Sequence, residues 1–306
     1  MDARILPLPF DVDGLPGLSG KLVTSHHQNN YVCAVKRLNA IRRELAAVTP
    51  SSISGFQLNG LKREELIATN SKLLHELYFA SLGGGGAAMA PAMALALAAN
   101  FGSVERWRDE FSAMGKALGG GSGWVLLCFQ PHDGSLLNQW AADHTHAVAG
   151  GVPILALDMY EHAYHLDFGA AAGAYVDAFM SNIDWAAVYQ RYQAAVHAAS
   201  EPFAASADDT ATATLVDVRR AGVFEQAETM LPGARWRDPA MVSAWAAELP
   251  ADQPVVVYCV YGHEVGRSTA MRLRAAGVDA RYLGGGIDGW QAAGRPLVAK
   301  PAGAAS

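Results

Sequence analysis

Four side chains have the types and placement to do metal chemistry: His26, His75, Asp158 and His162. His26 and His75 fall in two separate segments with helical patterning. Asp158 and His162 sit together in LALDMYEHAYHLDF, at the end of a strand-like run. Three imidazoles and one carboxylate make a mixed nitrogen and oxygen donor set with no thiolate nearby. Such a set suits iron, manganese or zinc rather than copper(I) or an iron–sulfur cluster. The chain holds ten histidines, so spacing alone leaves a core or solvated role open for each one. A second reactive candidate is Cys259, just after VVVY and before Gly262 and a helical segment. A thiolate at a strand-to-helix turn faces backbone N–H groups and a helix N-terminus, and both favour the anion. It can there attack a sulfane sulfur and hold the resulting persulfide. An inert buried thiol fits the same position. Cys33 and Cys128 lie in apolar runs and read as core.

The elements that must position these residues follow from periodicity. Helices are predicted over 21–48, 62–82, 87–100 and 104–118, and strands over 124–129, 136–140 and 154–157. Two more helices are expected at 171–180 and 185–195. An Ala, Ser and Thr-rich stretch with Pro202 reads as a linker over 196–213. Beyond it, apolar runs at 215–218, 254–258 and 281–283 alternate with a helix at 268–277, which predicts a parallel sheet. A length of 306 residues favours more than one domain. The expected division is 1–84, 85–195, the linker 196–213, and 214–300.

Composition excludes several classes. The net charge of −6 does not point to a nucleic-acid or anionic-membrane partner. Three cysteines are too few and too far apart for a disulfide framework. The opening MDARILPLPFDVDGL lacks the basic-then-apolar order of a signal peptide, and the apolar stretch 89–99 is short and carries Pro91. A cytoplasmic protein without a membrane partner is expected.

The words around the four candidate ligands carry more. LPF near the start, Leu18-Ser19 before His26, Leu38-Asn39 after it, LLHELYFASL around His75, FGSVERWRDEF, GSGW at 121–124, ALDMYEHAYHLDF and Asn182-Ile-Asp-Trp185 occur in order. Residues 6–193 thereby resemble the iron/manganese superoxide dismutase family. The resemblance implies a helical hairpin followed by an α/β part with a three-stranded antiparallel sheet. It also implies one iron or manganese ion per subunit, with iron preferred, held by His26, His75, Asp158, His162 and a solvent molecule. The metal would alternate between trivalent and divalent states, oxidising one superoxide to dioxygen and reducing the next to hydrogen peroxide. His144, counted forward from Gly123-Trp124, falls where the family's hydrogen-bond partner of the bound solvent stands, and Ser71 where an iron-type glutamine would be. Glu161 and Tyr164 match residues that cross the family's dimer interface, so a homodimer is implied.

Departures from that pattern concern the approach to the metal. Counted without gaps from His26, the family's gateway tyrosine falls at Ala34, its gateway histidine at Asn30 and a funnel lysine at Asn29, while the funnel arginine falls near Ala172. A gapped alignment makes Tyr31 the gateway tyrosine with His27 as its partner, but puts Val23 in place of the first ligand. The ungapped version keeps all four ligands and is preferred. On it, proton delivery and electrostatic steering are both weakened, which opens the alternative of a metal-holding dimeric scaffold with little dismutase activity.

The segment 214–297 resembles a single rhodanese domain through LVDVR (215–219), LPGA (231–234), VVVYC (255–259) and GGGIDGW (284–290). That implies a small α/β fold with a central parallel sheet, Cys259 as sulfur acceptor, thiosulfate or a persulfide as donor, and Asp217 and Arg219 as structural or flanking residues. The loop CVYGHEVGRS is longer than the family's short form: Arg267 comes late, and His263 and Glu264 lie inside it.

Overall fold

The computed structural model describes residues 2–83 and 85–301. Gly84, at the expected boundary between the first two units, lies outside them. The chain opens with α1 (Gly20–Ser25), whose first turn is capped by the Ser19 hydroxyl accepting from the Leu22 amide. The predicted helix 21–48 is not continuous α. A π-helical turn, His26–Tyr31, intervenes before α2 (Val32–Ala47). Such turns hydrogen-bond five residues apart and concentrate at functional sites, as the Val32 amide does here to the His27 carbonyl. Then comes α3 (Gly55–Phe79), longer at its start than the predicted 62–82. Helices α2 and α3 run antiparallel and pack through Leu38, Ile41 and Ala68.

Next come α4 (Pro91–Phe101), α5 (Val104–Ala117), β1 (Trp124–Gln130), β2 (Ser135–Ala141), β3 (Val152–Asp158), α6 (His165–Phe168), α7 (Ala172–Ser181) and α8 (Trp185–Ser200). The three strands form an antiparallel sheet with β1 in the centre. A central strand covered on both faces must be apolar throughout, which is why WVLLCF reads as a continuous run rather than an alternation. Its ladder sets Trp124 opposite Asp158.

The remaining elements are β4 (Ala204–Ala205), β5 (Thr214–Asp217), α9 (Ala221–Gln226), β6 (Thr229–Met230), β7 (Arg235–Trp236), α10 (Val242–Trp245), β8 (Val255–Tyr258), α11 (Glu264–Ala275), β9 (Ala280–Leu283), α12 (Gly286–Ala292) and β10 (Val298–Ala299). Five of these strands make a wholly parallel sheet in the order β4-β9-β8-β5-β7, and β6 pairs with β10 separately.

The stretch 196–213 differs from the expected linker. Helix α8 runs on to Ser200, and Ala204 and Ala205 then pair in parallel with Tyr282 and Leu283 at the sheet edge. A two-residue edge strand is held by main-chain hydrogen bonds and needs no apolar run, so composition does not reveal it. The two parts are also packed together: α8 and α4 contact α11, and Met271 of α11 lies in the core of the first part.

Candidate functional site

The π-helical turn, α3 and the end of β3 bring the four candidate ligands to one point. Asp158 Oδ2 lies 3.1 Å from His26 Nε2, 3.5 Å from His75 Nε2 and 3.3 Å from His162 Nε2. His75 and His162 are 3.4 Å apart through their Nε2 atoms. One ligand atom from each of the four falls within 4.8 Å of the others. Donors about 2.1 Å from a common ion are separated by roughly 3.0–3.6 Å at angles of 90–120°. The cluster therefore fits a metal ion, and its chemistry agrees, with three imidazoles around a single carboxylate.

Two of the ligands are aimed by their other polar atom, as metal ligands require. The His75 Nδ1–H donates to the Ser71 carbonyl at 2.6 Å, one helical turn back, which leaves Nε2 to the centre. The Asp158 Oδ1 accepts from the Tyr160 amide at 2.8 Å, which leaves Oδ2. Tyr175 donates to the Asp158 carbonyl at 2.8 Å. Burial lowers the pKa of His26 and takes that of His75 down to about 3, so both are neutral and competent donors. For Asp158, burial pushes the carboxyl up, but the charges and hydrogen bonds of His162 and His26 outweigh it and hold it well below the usual carboxylate range.

A cavity of about 220 Å³ reaches this cluster from the surface. Asn29, Asn30, Cys33, Ala34 and Ser71 line it, together with His75, His144 and His162. Asn30 and Ala34 thus stand on the approach to the cluster. Tyr31 does not. It is buried beside His27 and Phe79, donates from its hydroxyl to Glu76 at 2.7 Å, and accepts from the Leu6 amide at 2.8 Å. Burial and the Glu76 carboxylate push its phenol up to about 12. His27 donates to the Leu6 carbonyl, and Val23 belongs to the core. Of the positions favoured by the gapped alignment, Tyr31 and His27 therefore fasten the N-terminal segment at Leu6 and Val23 fills the core.

His144 borders the cavity, its ring centroid 6.1 Å from that of His75. Its Nδ1 accepts from the Trp124 indole at 3.0 Å. A neutral imidazole so engaged carries its proton on Nε2, the donor left for the cavity. Tyr160 stacks between His144 and His162, at 4.8 and 5.3 Å. Trp124, Tyr160 and Tyr175 are the site residues that sequence reasoning missed. The strand register sets Trp124 opposite Asp158, which puts its indole at the site. Glu161 is exposed, Tyr164 is buried against Tyr175, and among the described residues the Nδ1 of His162 has no hydrogen-bond partner.

The second candidate site is one loop. Cys259 follows the central strand β8 at its carboxyl end, where parallel sheets place their ligands. Burial raises the pKa of its thiol. The amides of Gly266, Gly262, His263 and Tyr261 point at the sulfur and act the other way. The start of α12 approaches this loop closely enough to demand glycine: at Gly286, with φ +59°, a Cβ would lie 2.5 Å from the carbonyl oxygens of Cys259 and Val260. Those carbonyls accept from the amides of Ile287 and Asp288, both at 3.0 Å. Asp217 and Arg219 form a buried ion pair under β8, joined by the Tyr258 hydroxyl at 2.8 Å from Asp217. That arrangement is structural. Helix α11 begins at Glu264, earlier than the predicted 268, because His263 takes the extended N-cap conformation.

Comparison with known proteins places both parts. Residues 89–191 match the family described as iron/manganese superoxide dismutases, C-terminal domain, and residues 201–293 match the rhodanese-like domain. The chain is 62% identical over 190 residues to "Superoxide dismutase [Fe]" of Cupriavidus metallidurans, covering 62% of this chain and 96% of the relative. It is 35% identical to "Superoxide dismutase [Mn] 1" of Halobacterium salinarum, over 62% of this chain and 94% of that one. It is 30% identical to "Superoxide dismutase [Fe]" of Aquifex aeolicus, over 60% and 88%.

Proposed function

The chain belongs to the iron/manganese superoxide dismutase family and carries a rhodanese-like domain after it; on that premise we propose that it dismutates superoxide to dioxygen and hydrogen peroxide at the cluster of His26, His75, Asp158 and His162, with iron as the resident ion. The observation that carries this reading is the convergence of three Nε2 atoms on one buried carboxylate oxygen. When bound, iron or manganese supplies a one-electron couple between its trivalent and divalent states. The name of the relative at 62% identity supports iron.

The chain's own residues do the rest. His26, His75 and His162 would hold the ion through their Nε2 atoms, with Asp158 as the single carboxylate. The cavity past Asn30 and Ala34 admits a small anion. His144, fixed by Trp124, holds a proton on Nε2 at the cavity wall and is the partner proposed for bound solvent. The exposed Glu161 and the unpartnered Nδ1 of His162 support a homodimer in which each copy's glutamate reaches the other's histidine. A free thiol at Cys259 suits a reducing, cytoplasmic compartment. The test is elemental analysis and dismutation rate of the purified full chain against His162→Ala. Stoichiometric iron with activity lost roughly a hundredfold or more in the variant is expected. Metal present with a rate no better than the variant's would leave a metal-holding scaffold.

A second activity is proposed for Cys259, supported by the four amides around its sulfur. The thiolate attacks the outer sulfur of thiosulfate, a new S–S bond forms, the old one breaks, and sulfite leaves with the bonding pair. A nucleophile such as cyanide then takes that sulfur, and the electron pair returns to Cys259.

A further inference from the structure

The loop that holds Cys259 is supported from two sides by different parts of the chain. Its first half, Cys259 to Gly262, is pinned by the glycine-rich turn before α12, through the amides of Ile287 and Asp288. Its second half, His263 to Arg267, is pinned by α8, the last helix of the dismutase-like part. Glu264 is 5% exposed, and both oxygens of its carboxylate are used by α8. Tyr189 donates to Oε1 at 2.5 Å and the Gln193 amide donates to Oε2 at 3.0 Å. At the far end of the loop, Arg267 donates to the Ser200 hydroxyl and to Glu201, each at 3.2 Å, and lies 4.2 Å over the Tyr282 ring. Its Nε donates back to the Gly262 carbonyl at 2.9 Å, which ties the two halves together. His197 of α8 faces His263, with ring centroids 5.9 Å apart.

We infer that α8 completes the sulfur-transfer site, with Tyr189 and Gln193 as positioning residues that hold the Cys259 loop through Glu264. The inference rests on the reading of Cys259 as a sulfur acceptor given above. Its physical basis is that amides stabilise an anionic sulfur only while they stay aimed at it. Two of the four, those of His263 and Gly266, lie within two residues of Glu264. A carboxylate buried without donors is costly, so it does not stay in place when they are removed. The loop then rearranges. Glu264, expected inside a lengthened loop, instead opens α11 and leans on α8 from there. The rhodanese-like part thus relies on the domain before it to hold the second half of the loop.

The test uses the full chain in four forms: wild type, Tyr189→Phe combined with Gln193→Ala, Glu264→Gln, and Cys259→Ser. Thiosulfate-to-cyanide sulfur transfer is measured with hydrogen exchange at the amides of residues 261–266. The double variant is expected to lose kcat/KM for thiosulfate by roughly tenfold or more, the scale of hydrogen bonds lost to a charged group. Its loop amides should exchange about tenfold faster, and its dismutation rate should be unchanged. Glu264→Gln should keep most transfer, because its amide oxygen still accepts from Tyr189 and its amide can pair with Gln193. Transfer and loop exchange both equal to wild type in the double variant would overturn the inference. So would a Glu264→Gln that falls as far as the double variant, which would point to charge rather than bracing. If wild type transfers no more sulfur than Cys259→Ser, the sulfur-acceptor reading fails. Loop exchange then decides the bracing alone: faster in the double variant supports it, and unchanged overturns it.

Discussion

The metal centre and the sulfur loop make reactive groups by opposite means. The metal centre uses four side chains from three places in the sequence, and its backbone only aims them: the Ser71 carbonyl turns His75, and the Tyr160 amide occupies the spare oxygen of Asp158. The sulfur loop uses one side chain, and its backbone is the chemistry, with amides from four residues around Cys259. Both depend on long-range packing, the first to gather its side chains and the second to hold the backbone that carries its donors. A side-chain site fails when a donor is lost, whereas a backbone site fails when a Cβ is added.

Crossed substitutions would break this contrast most directly. Asp158→Ala should lose metal and lower dismutation by roughly a hundredfold or more, with sulfur transfer retained. Gly286→Ala should do the reverse. Its Cβ meets two carbonyl oxygens at 2.5 Å in a left-handed backbone conformation, so a shift of the Cys259 loop should lower transfer on the order of a hundredfold. Metal content and dismutation in that variant should match wild type. Loss of both activities in either variant would mean that the two sites are not separable in this way.

A smaller effect sharpens the role of the aiming residues. His144→Ala removes the donor that Trp124 fixes. Dismutation should fall by about 10–100-fold with metal retained, read by elemental analysis beside the rate. Metal loss equal to the rate loss would instead place His144 among the groups that retain the ion.

The smallest effect is on stability and has opposite sign with pH at the two sites. Burial keeps the pKa of His75 near 3 and lowers that of His26, below the ordinary 6.5. The unfolded chain therefore binds more protons across that window, and the metal-free protein should lose stability as pH falls from about 6.5 toward 3. Asp158, held low, contributes stability above its unfolded value of 3.8 that is lost below it. Cys259 is raised above 9.0, so its contribution is complete below that value and is lost as pH rises through the folded one. Melting temperatures of EDTA-treated protein across pH, for wild type, His75→Gln and Cys259→Ser, would show the acid limb flattened by the first substitution and the alkaline limb by the second.

Much of this was legible in the sequence for particular reasons. The WVLLCF and VVVY runs announce central strands because both faces are covered, so no polar alternation breaks them. The ligand segment ALDMYEHAYH is dense because Asp158 and His162 are only four residues apart. What stayed hidden depends on contacts distant in sequence or on main-chain pairing. The edge strand at Ala204 and Ala205 has no side-chain signature. Helix α8 looked like the end of the first domain, yet its Tyr189 and Gln193 serve the second.

The sequence by itself determined the donor types, the cysteine at a strand end and the order of the elements, because residue chemistry and periodicity are local properties. Only the tertiary structure decided which residues face the metal cavity. The π-helical turn rotates Tyr31 away to Glu76 and leaves Asn30 and Ala34 on the approach. It likewise decided that Trp124 fixes His144 and that α8 braces the Cys259 loop. Those facts depend on which surfaces meet, and that is set by the packing of whole elements rather than by any one segment.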